Sequence, residues 1–254
     1  MNNNPFNLTG RNALITGASK GIGKAIAQTL GAQGAQVVIS SRNQQSLDEV
    51  AEEFRAHNIK CLPIAAKVGQ QEDMEALVEQ ARQAFGPIHI LVNNAAANPS
   101  FGPLMTTDDA VFDKIMTVNV KGPLALAKLC FADMKSEGWG SVINISSVGG
   151  ISPEHMLGLY SVSKAALISL TKVMAREWGT LGIRANVICP GLIKTKFSEA
   201  LWKNDPILQQ VLEKQPLPRI GESEDVSGLA LLLASDAGAY CTGGVYTVDG
   251  GYTI

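Results

Sequence analysis

Short apolar runs rich in β-branched residues alternate along this chain with longer stretches in which apolar positions recur every three to four residues. The short runs predict strands at Asn12–Thr16, Gln36–Ser41, Lys60–Ala65, Ile88–Asn93, Gly140–Ser146, Ile183–Cys189 and Val245–Val248. The longer stretches predict helices over Gly21–Gln33, Gln44–Ala56, Glu72–Phe85, Asp108–Ser136, Gly158–Gly179 and Asp225–Ala234. Continuous apolar strands separated by helices imply βαβ units and a parallel sheet covered on both faces. The expectation is therefore an α/β fold: one doubly wound domain over 1–254 with a parallel seven-stranded sheet. One long interruption, Lys194–Pro218 with Pro206, Pro216 and Pro218, reads as a substrate lid, about 194–218.

Composition narrows the function classes. The 254 residues carry 21 Lys+Arg against 23 Asp+Glu, with 46% hydrophobic and 17% charged residues, which excludes a disordered chain. The near balance of charge gives no electrostatic reason to expect a nucleic-acid partner. The longest uninterrupted apolar run, Gly228–Ala234, is too short to span a bilayer, and the opening Met-Asn-Asn-Asn-Pro-Phe lacks the charged and apolar regions of a signal peptide. Cys61, Cys130, Cys189 and Cys241 are widely spread with no C-x-x-C pair, as expected for reduced thiols in a cytoplasmic protein without a structural metal.

The first predicted strand runs into Thr16-Gly17-Ala18-Ser19-Lys20-Gly21-Ile22-Gly23, and helical periodicity follows at once. Glycines there allow a sharp turn and close approach to a pyrophosphate, whose charge a helix N-terminus favours. The spacing is G-x-x-x-G-x-G, so the turn gains weight from its place at the first strand–helix junction. The second strand ends in Ser40-Ser41-Arg42-Asn43 with no carboxylate at its tip to accept from a ribose 2′-hydroxyl. Arg42 offers a 2′-phosphate a planar charged fork, Ser41 another donor, and Lys20 a second positive charge. NADP is therefore expected over NAD.

Tyr160-Ser-Val-Ser-Lys164 opens a long helical pattern and puts a phenol and an ammonium on one face, a turn apart. At ~4 Å and an effective dielectric of ~20 their attraction is ~4 kcal/mol, at most about three units off the phenol's pKa. A Y-x-x-x-K pair alone is a common surface arrangement, but here Ser147 closes the fifth strand thirteen residues earlier, at the carboxyl edge where open α/β sheets bind ligands. Asn93-Asn94-Ala95 closes the fourth strand, Asn119 sits in a helical stretch, and Pro190-Gly191 follows the sixth strand.

Taken together, in this order and over essentially the whole chain, these motifs resemble those of the short-chain dehydrogenase/reductase family of single-domain Rossmann enzymes. The resemblance implies catalysis by Asn119, Ser147, Tyr160 and Lys164. Tyr160 would exchange a proton with the substrate oxygen, Ser147 would hydrogen-bond that oxygen, and Lys164 would hold the nicotinamide ribose and lower the Tyr160 pKa. Asn119 would hold a water serving Lys164. Cofactor contacts are implied for Gly17, Ser19, Lys20, Gly21, Ile22, Gly23, Ser41, Arg42, Asn43, Val68, Asn94, Ala95, Tyr160, Lys164, Pro190, Gly191, Ile193 and Thr195. Ile193 and Thr195 would meet the carboxamide. The stretches Ser40–Gln45, Lys67–Gly69, Asn94–Gly102 and Gly191–Ser198 with Leu201-Trp202 are similar to the NADPH-dependent carbonyl and retinal reductases of the peroxisomal type. The chain ends Tyr252-Thr253-Ile254, so a peroxisomal address is not carried over. Lys67 stands where the family has an aspartate facing adenine, and Ala96 where it has glycine.

The expected pocket rim, Ala96–Met105, Val148–Leu159 and the loop after Thr195, is rich in Phe, Leu, Met, Ile and Trp, which favours an apolar carbonyl substrate. His155 reads as a loop residue, and His57 and His89 lie away from the site. Two alternatives remain: a 3-oxoacyl-carrier-protein reductase, with Arg176 matching and Ala132 missing the arginines that hold the carrier, and a non-catalytic NADP-binding sensor. The apolar faces of Asp108–Ser136 and Gly158–Gly179, with the C-terminal stretch Thr242–Gly251, resemble the family's tetramer contacts, so a homotetramer is expected.

Overall fold

The computed structural model describes residues 4–99 and 101–254. Seven strands form one sheet in the order β3-β2-β1-β4-β5-β6-β7, every neighbouring pair parallel. They are β1 (Asn12–Thr16), β2 (Gln36–Ser41), β3 (Cys61–Ala65), β4 (Ile90–Asn93), β5 (Gly140–Ile145), β6 (Ile183–Pro190) and β7 (Val245–Val248). The helices are α1 (Gly21–Ala32), α2 (Gln44–Ala56), α3 (Gln71–Phe85), α4 (Asp109–Met116), α5 (Gly122–Glu137), α6 (Gly158–Trp178), α7 (Glu199–Trp202), α8 (Asp205–Lys214) and α9 (Ser223–Ala234).

Both faces of the sheet are covered, as continuous apolar strands require. Alternate strand residues serve opposite sides: Ala13 and Ile15 pack with Ile26 and Leu30 of α1, Phe54 of α2 and Leu233 of α9. Leu14 packs on the other side with Leu77 of α3, Leu126 of α5 and Met174 of α6. Strand order reverses between β1 and β4, so their carboxyl ends diverge there and leave the crevice in which such sheets take ligands.

Two expected elements differ from the pattern. The helix expected over Asp108–Ser136 is interrupted by a π turn at Thr117–Lys121 between α4 and α5. End to end, Asp109–Glu137 is long and apolar enough to cross a membrane by length and composition. Its packing is that of a core helix: Leu126, Cys130 and Met134 are fully buried against the sheet, while Lys114, Lys121, Lys128 and Lys135 alternate along its outer side. The lid region is not irregular throughout. Asn204 accepts from the Ile207 N–H at 3.2 Å to cap α8, and short α7 precedes it.

Candidate active site

The glycine turn is built by a clamp between strands β1 and β4. Thr16 Oγ1 accepts from the N–H groups of Asn94 and Ala95, both at 3.1 Å. The Asn94 amide donates to the carbonyls of Thr16 at 3.0 Å and Gly17 at 3.1 Å. Asn94, expected at the cofactor, thus has its amide nitrogen committed to shaping the turn. Gly17 has φ +66°, and a Cβ there would lie 2.8 Å from the Asn94 amide and 3.0 Å from Ala95 Cα, so only glycine fits. Gly23 is excluded from bearing a side chain by closeness alone, with Gly17 O 2.5 Å from where its Cβ would stand. Lys20 occupies the N-cap of α1 and supplies no capping side chain, which leaves the first N–H groups of that helix unmet by a side-chain acceptor. Ser19, Gly21 and Ile22 are half-buried around that opening.

The far side of the crevice comes from the segment after β6. Pro190 is buried, Gly191 donates to Val248 O at 3.0 Å, and Ile193 forms a parallel bridge to Gly221. The Ile193 side chain is buried in the core. Thr195 stands over the glycine turn, its Cγ2 3.2 Å from the point where a Gly21 Cβ would lie. Trp202 of α7 donates from its indole to Thr195 O at 2.9 Å and so anchors the lid to this segment.

At the tip of β2, the hydroxyls of Ser40 and Ser41 are buried without a partner among the described residues. Arg42, Lys20 and Lys67 are exposed at the carboxyl ends of neighbouring strands, and none enters an ion pair among the described residues. Asn43, also expected at the cofactor, caps α2, its Oδ1 accepting from the Ser46 N–H at 2.8 Å. Val68 is half-buried and packs on Gly122, where a Cβ would fall 2.3 Å from Val68 Cγ1. Unpartnered hydroxyls, unpaired cations and an uncapped helix end beside tight glycines fit a dinucleotide carrying an extra phosphate.

The groups expected to handle the proton meet opposite this crevice. Ser147 follows β5 and accepts the Gly149 N–H at 3.1 Å, which fixes the hydroxyl at the start of a short turn. Tyr160 and Lys164 project from the first turns of α6, the Lys164 ammonium 5.5 Å from the phenol ring centre. Lys164 is 2% exposed and donates to Ile145 O at 2.7 Å. Burial pulls its pKa down to about 8, while the Cys189 thiol opposes that shift. The Tyr160 phenol departs from expectation: burial pushes it above its ordinary value, Ser147 offsets this in part, and the nearby Glu154 charge adds to the rise. Desolvation is the largest cause of the shift on each group, on half-buried Tyr160 as on buried Lys164.

Asn119 sits in the π turn, almost wholly buried, and both amide hydrogens are engaged. Its oxygen accepts the Ala97 N–H at 2.8 Å; its nitrogen donates to Ala97 O and to Ser163 Oγ, both at 3.0 Å. Ser163 Oγ in turn donates to Tyr160 O at 2.7 Å. The side chain therefore ties the loop after β4 to the helix of Tyr160. Sequence reasoning missed Thr16, Ser163 and Glu154. Thr16 and Ser163 lie inside motifs already singled out, and Glu154 is the lone acid in the segment between Ser147 and Tyr160.

The rim is apolar and open. Phe101, Leu104, Met105, Ile151 and Phe197 are exposed, and the Phe197 ring lies 6.1 Å from that of Tyr160. Leu157 is buried and Leu159 half-buried, so these pack rather than line. Ser100, within the expected rim, lies outside the described residues. His155 is exposed, His57 ends α2, and His89 lies at the opposite end of the sheet. No group of three or more His, Cys, Asp or Glu suited to a metal occurs among the described residues.

A family model described as enoyl-(acyl carrier protein) reductase matches residues 17–253. The chain is 41% identical over 244 residues to the rabbit (Oryctolagus cuniculus) dehydrogenase/reductase SDR family member 4, covering 96% of this chain and 94% of that one. The human protein of the same name is 40% identical, with 96% and 88% covered. Among solved structures, a short-chain type dehydrogenase/reductase from Mycobacterium marinum superposes with a TM-score of 0.92 at 36% identity, covering 98% of each chain. A gluconate 5-dehydrogenase from Burkholderia cenocepacia, solved with NADP and tartrate, superposes with a TM-score of 0.94 at 32% identity, with 98% and 97% covered.

Proposed function

The chain belongs to the short-chain dehydrogenase/reductase family and is an NAD(P)-dependent oxidoreductase; from that premise we propose that it reduces apolar ketones or aldehydes with NADPH, reversibly towards secondary alcohols. The observation that carries this reading is the convergence of Ser147, Tyr160 and buried Lys164 across the crevice from the glycine turn, under an apolar rim. When bound, the nicotinamide supplies or accepts the hydride at the carbonyl carbon. Tyr160 donates its proton to the carbonyl oxygen, and the Ser147 hydroxyl stabilises the charge developing there. Lys164 holds the ribose beside Tyr160, and its charge favours the phenolate left behind. Asn119 acts as a positioning residue by tying the Ala97 loop to α6. Arg42, Ser41 and Lys20 hold the 2′-phosphate. This reading also fits the NADP bound in the B. cenocepacia structure.

We further assign the chain to the cytoplasm and to a homotetramer. A depression on α5 and α6, lined by Leu124, Phe131, Leu170, Val173, Met174 and Trp178 together with Lys128 and Glu177, supports a contact between copies. A monomeric mass by light scattering would exclude the tetramer.

The test is NADPH and NADH oxidation against an aromatic vicinal diketone, retinal and an acetoacetyl thioester. Turnover of the first two with NADPH, reduced ~10²–10⁴-fold in Tyr160→Phe, is expected. Arg42→Ala should raise the NADPH KM by about tenfold or more while leaving that for NADH nearly unchanged. A clear preference for the thioester would favour the 3-oxoacyl-carrier-protein reading, which exposed Arg176 and the matched family description support. Tight NADPH binding without turnover would favour a sensor.

A further inference from the structure

Between Ser147 and the helix of Tyr160, the chain folds back so that one acidic side chain, Glu154, stands half-buried at the substrate end of the catalytic groups. The backbone there is pinned on several sides. The Glu154 N–H donates to Ser161 Oγ at 3.4 Å, Glu154 O accepts from Leu157 at 3.2 Å, and Met156 O accepts from Gly102 at 3.0 Å. Met156 has φ +68°, a strained conformation for a side chain of its size, held by these contacts. The position of Glu154 relative to the catalytic serine is fixed by Gly149. The point where a Gly149 Cβ would lie is 3.2 Å from Ser161 Oγ, 3.5 Å from Ser147 Oγ and 4.0 Å from Glu154 Cγ.

The start of α6 beyond this segment meets apolar rim residues, with Leu104 against Gly158 and Phe197 facing Tyr160. Its oxygens take no hydrogen bond and form no ion pair with the described residues. Its pKa is raised by burial and opposed only by the charge of Lys214, at the end of the lid helix α8. Lys214 itself lies 5.7 Å from the ring centre of Tyr252 and makes no contact ion pair with Glu154. The other ionisable groups that feel or face the carboxylate are Tyr160 on α6 and Tyr252 in the C-terminal turn, both of which its charge makes harder to ionise. A carboxylate partly withdrawn from water, with no donor in reach, is costly unless a partner arrives.

We propose that Glu154 is a specificity-determining residue that receives an ammonium group carried by the carbonyl substrate on the arm remote from the reacting carbon. The proposal rests on the reductase reading and sharpens its substrate class to amino ketones and amino aldehydes. An ammonium fits better than a neutral donor, because a charge-assisted bond to a half-buried carboxylate is the stronger one. The same charge disfavours carboxylate-bearing substrates. Lys214 competes for Glu154 from the lid side at longer range.

The experiment compares two aryl ketones of equal shape, one ending in a dimethylammonium group and the other in an isopropyl group, using kcat/KM with NADPH. Wild type should favour the ammonium ketone about tenfold or more. In Glu154→Gln the ratio should fall towards one. In Lys214→Met, which removes the competing cation, it should rise. Equal use of both ketones by wild type, or an unchanged ratio in Glu154→Gln, would overturn the proposal. So would equal losses on both ketones in Glu154→Gln and Lys214→Met, since that pattern marks a lid clamp. If neither ketone is reduced, the reductase reading fails on its own. Calorimetric affinities of the two ketones for the NADPH-bound enzyme and its variants then decide Glu154 by the same ratios.

Discussion

Gly23 is the point at which the cofactor end of the structure is most sensitive to one added methyl. It lies in the first turn of α1 against the end of β4. A Cβ there would stand 2.5 Å from Gly17 O and 2.5 Å from the Asn94 amide nitrogen. Contacts under 3.0 Å are not sustained, so in Gly23→Ala the helix must retreat by about 0.5 Å, the difference between those two distances. A backbone oxygen cannot swing aside as a side chain can. The retreat stretches both Asn94 bonds that shape the turn, now 3.0 Å and 3.1 Å. Their loss costs ~1 kcal/mol each, overpacking adds ~1–3 kcal/mol, and alanine returns ~1 kcal/mol as the better helix former. The net expectation is ~2–4 kcal/mol of destabilisation. With a urea m-value of ~3 kcal/mol/M for a domain of this size, the midpoint should drop by about 1 M at fixed protein concentration. NADPH affinity, read by fluorescence titration, should fall with it, because the N–H groups at the start of α1 move. Adding Asn94→Ala should relieve only part of the loss, since the Gly17 O contact remains. A Gly23→Ala variant with wild-type midpoint and affinity would refute this account. Strict additivity of the two substitutions would show that Asn94 is not the obstacle.

Three further outcomes are expected. The buried amide of Asn144 donates to Thr171 Oγ1 at 2.8 Å, so Thr171→Val should cost ~1–3 kcal/mol by urea unfolding, where Thr171→Ser should cost less. Lys164 titrates at about 8 in the folded protein against 10.5 ordinarily, so between those values the unfolded chain binds the extra proton and wild type gains stability as pH rises. Measured against Lys164→Met, wild type should therefore improve from pH ~8 to ~10.5, and a flat difference would refute the burial argument. Burial pushes the Cys61 and Cys130 thiols up to about 12 and Cys189 to about 11, so native protein should resist iodoacetamide at these three sites near neutral pH, as peptide mapping can check.

The strands, the glycine turn and the Tyr160–Lys164 pair were legible in the sequence because each is a local pattern. Apolar continuity marks a strand buried on both faces, glycines mark a turn that must come close to something, and a spacing of four puts two side chains on one helical face. β1 and β2 fall where the pattern puts them, and α2 at both ends. What the sequence could not determine depends on partners far along the chain. Asn94, Asn43 and Asn119 all read as site residues, yet their amides serve Thr16 and Gly17, the first turn of α2, and Ala97 with Ser163. An asparagine carries the same donors and acceptor in either role, and only the fold decides which neighbour meets them. The π turn at Thr117–Lys121 does not emerge from hydrophobic periodicity, which reports the spacing of apolar positions and not the hydrogen bonding of a single turn. The protonation of the Tyr160–Lys164 pair is likewise tertiary. Spacing alone predicts a lowered phenol, but burial decided by the fold is the largest cause of the shift on both Tyr160 and Lys164, raising the one and lowering the other.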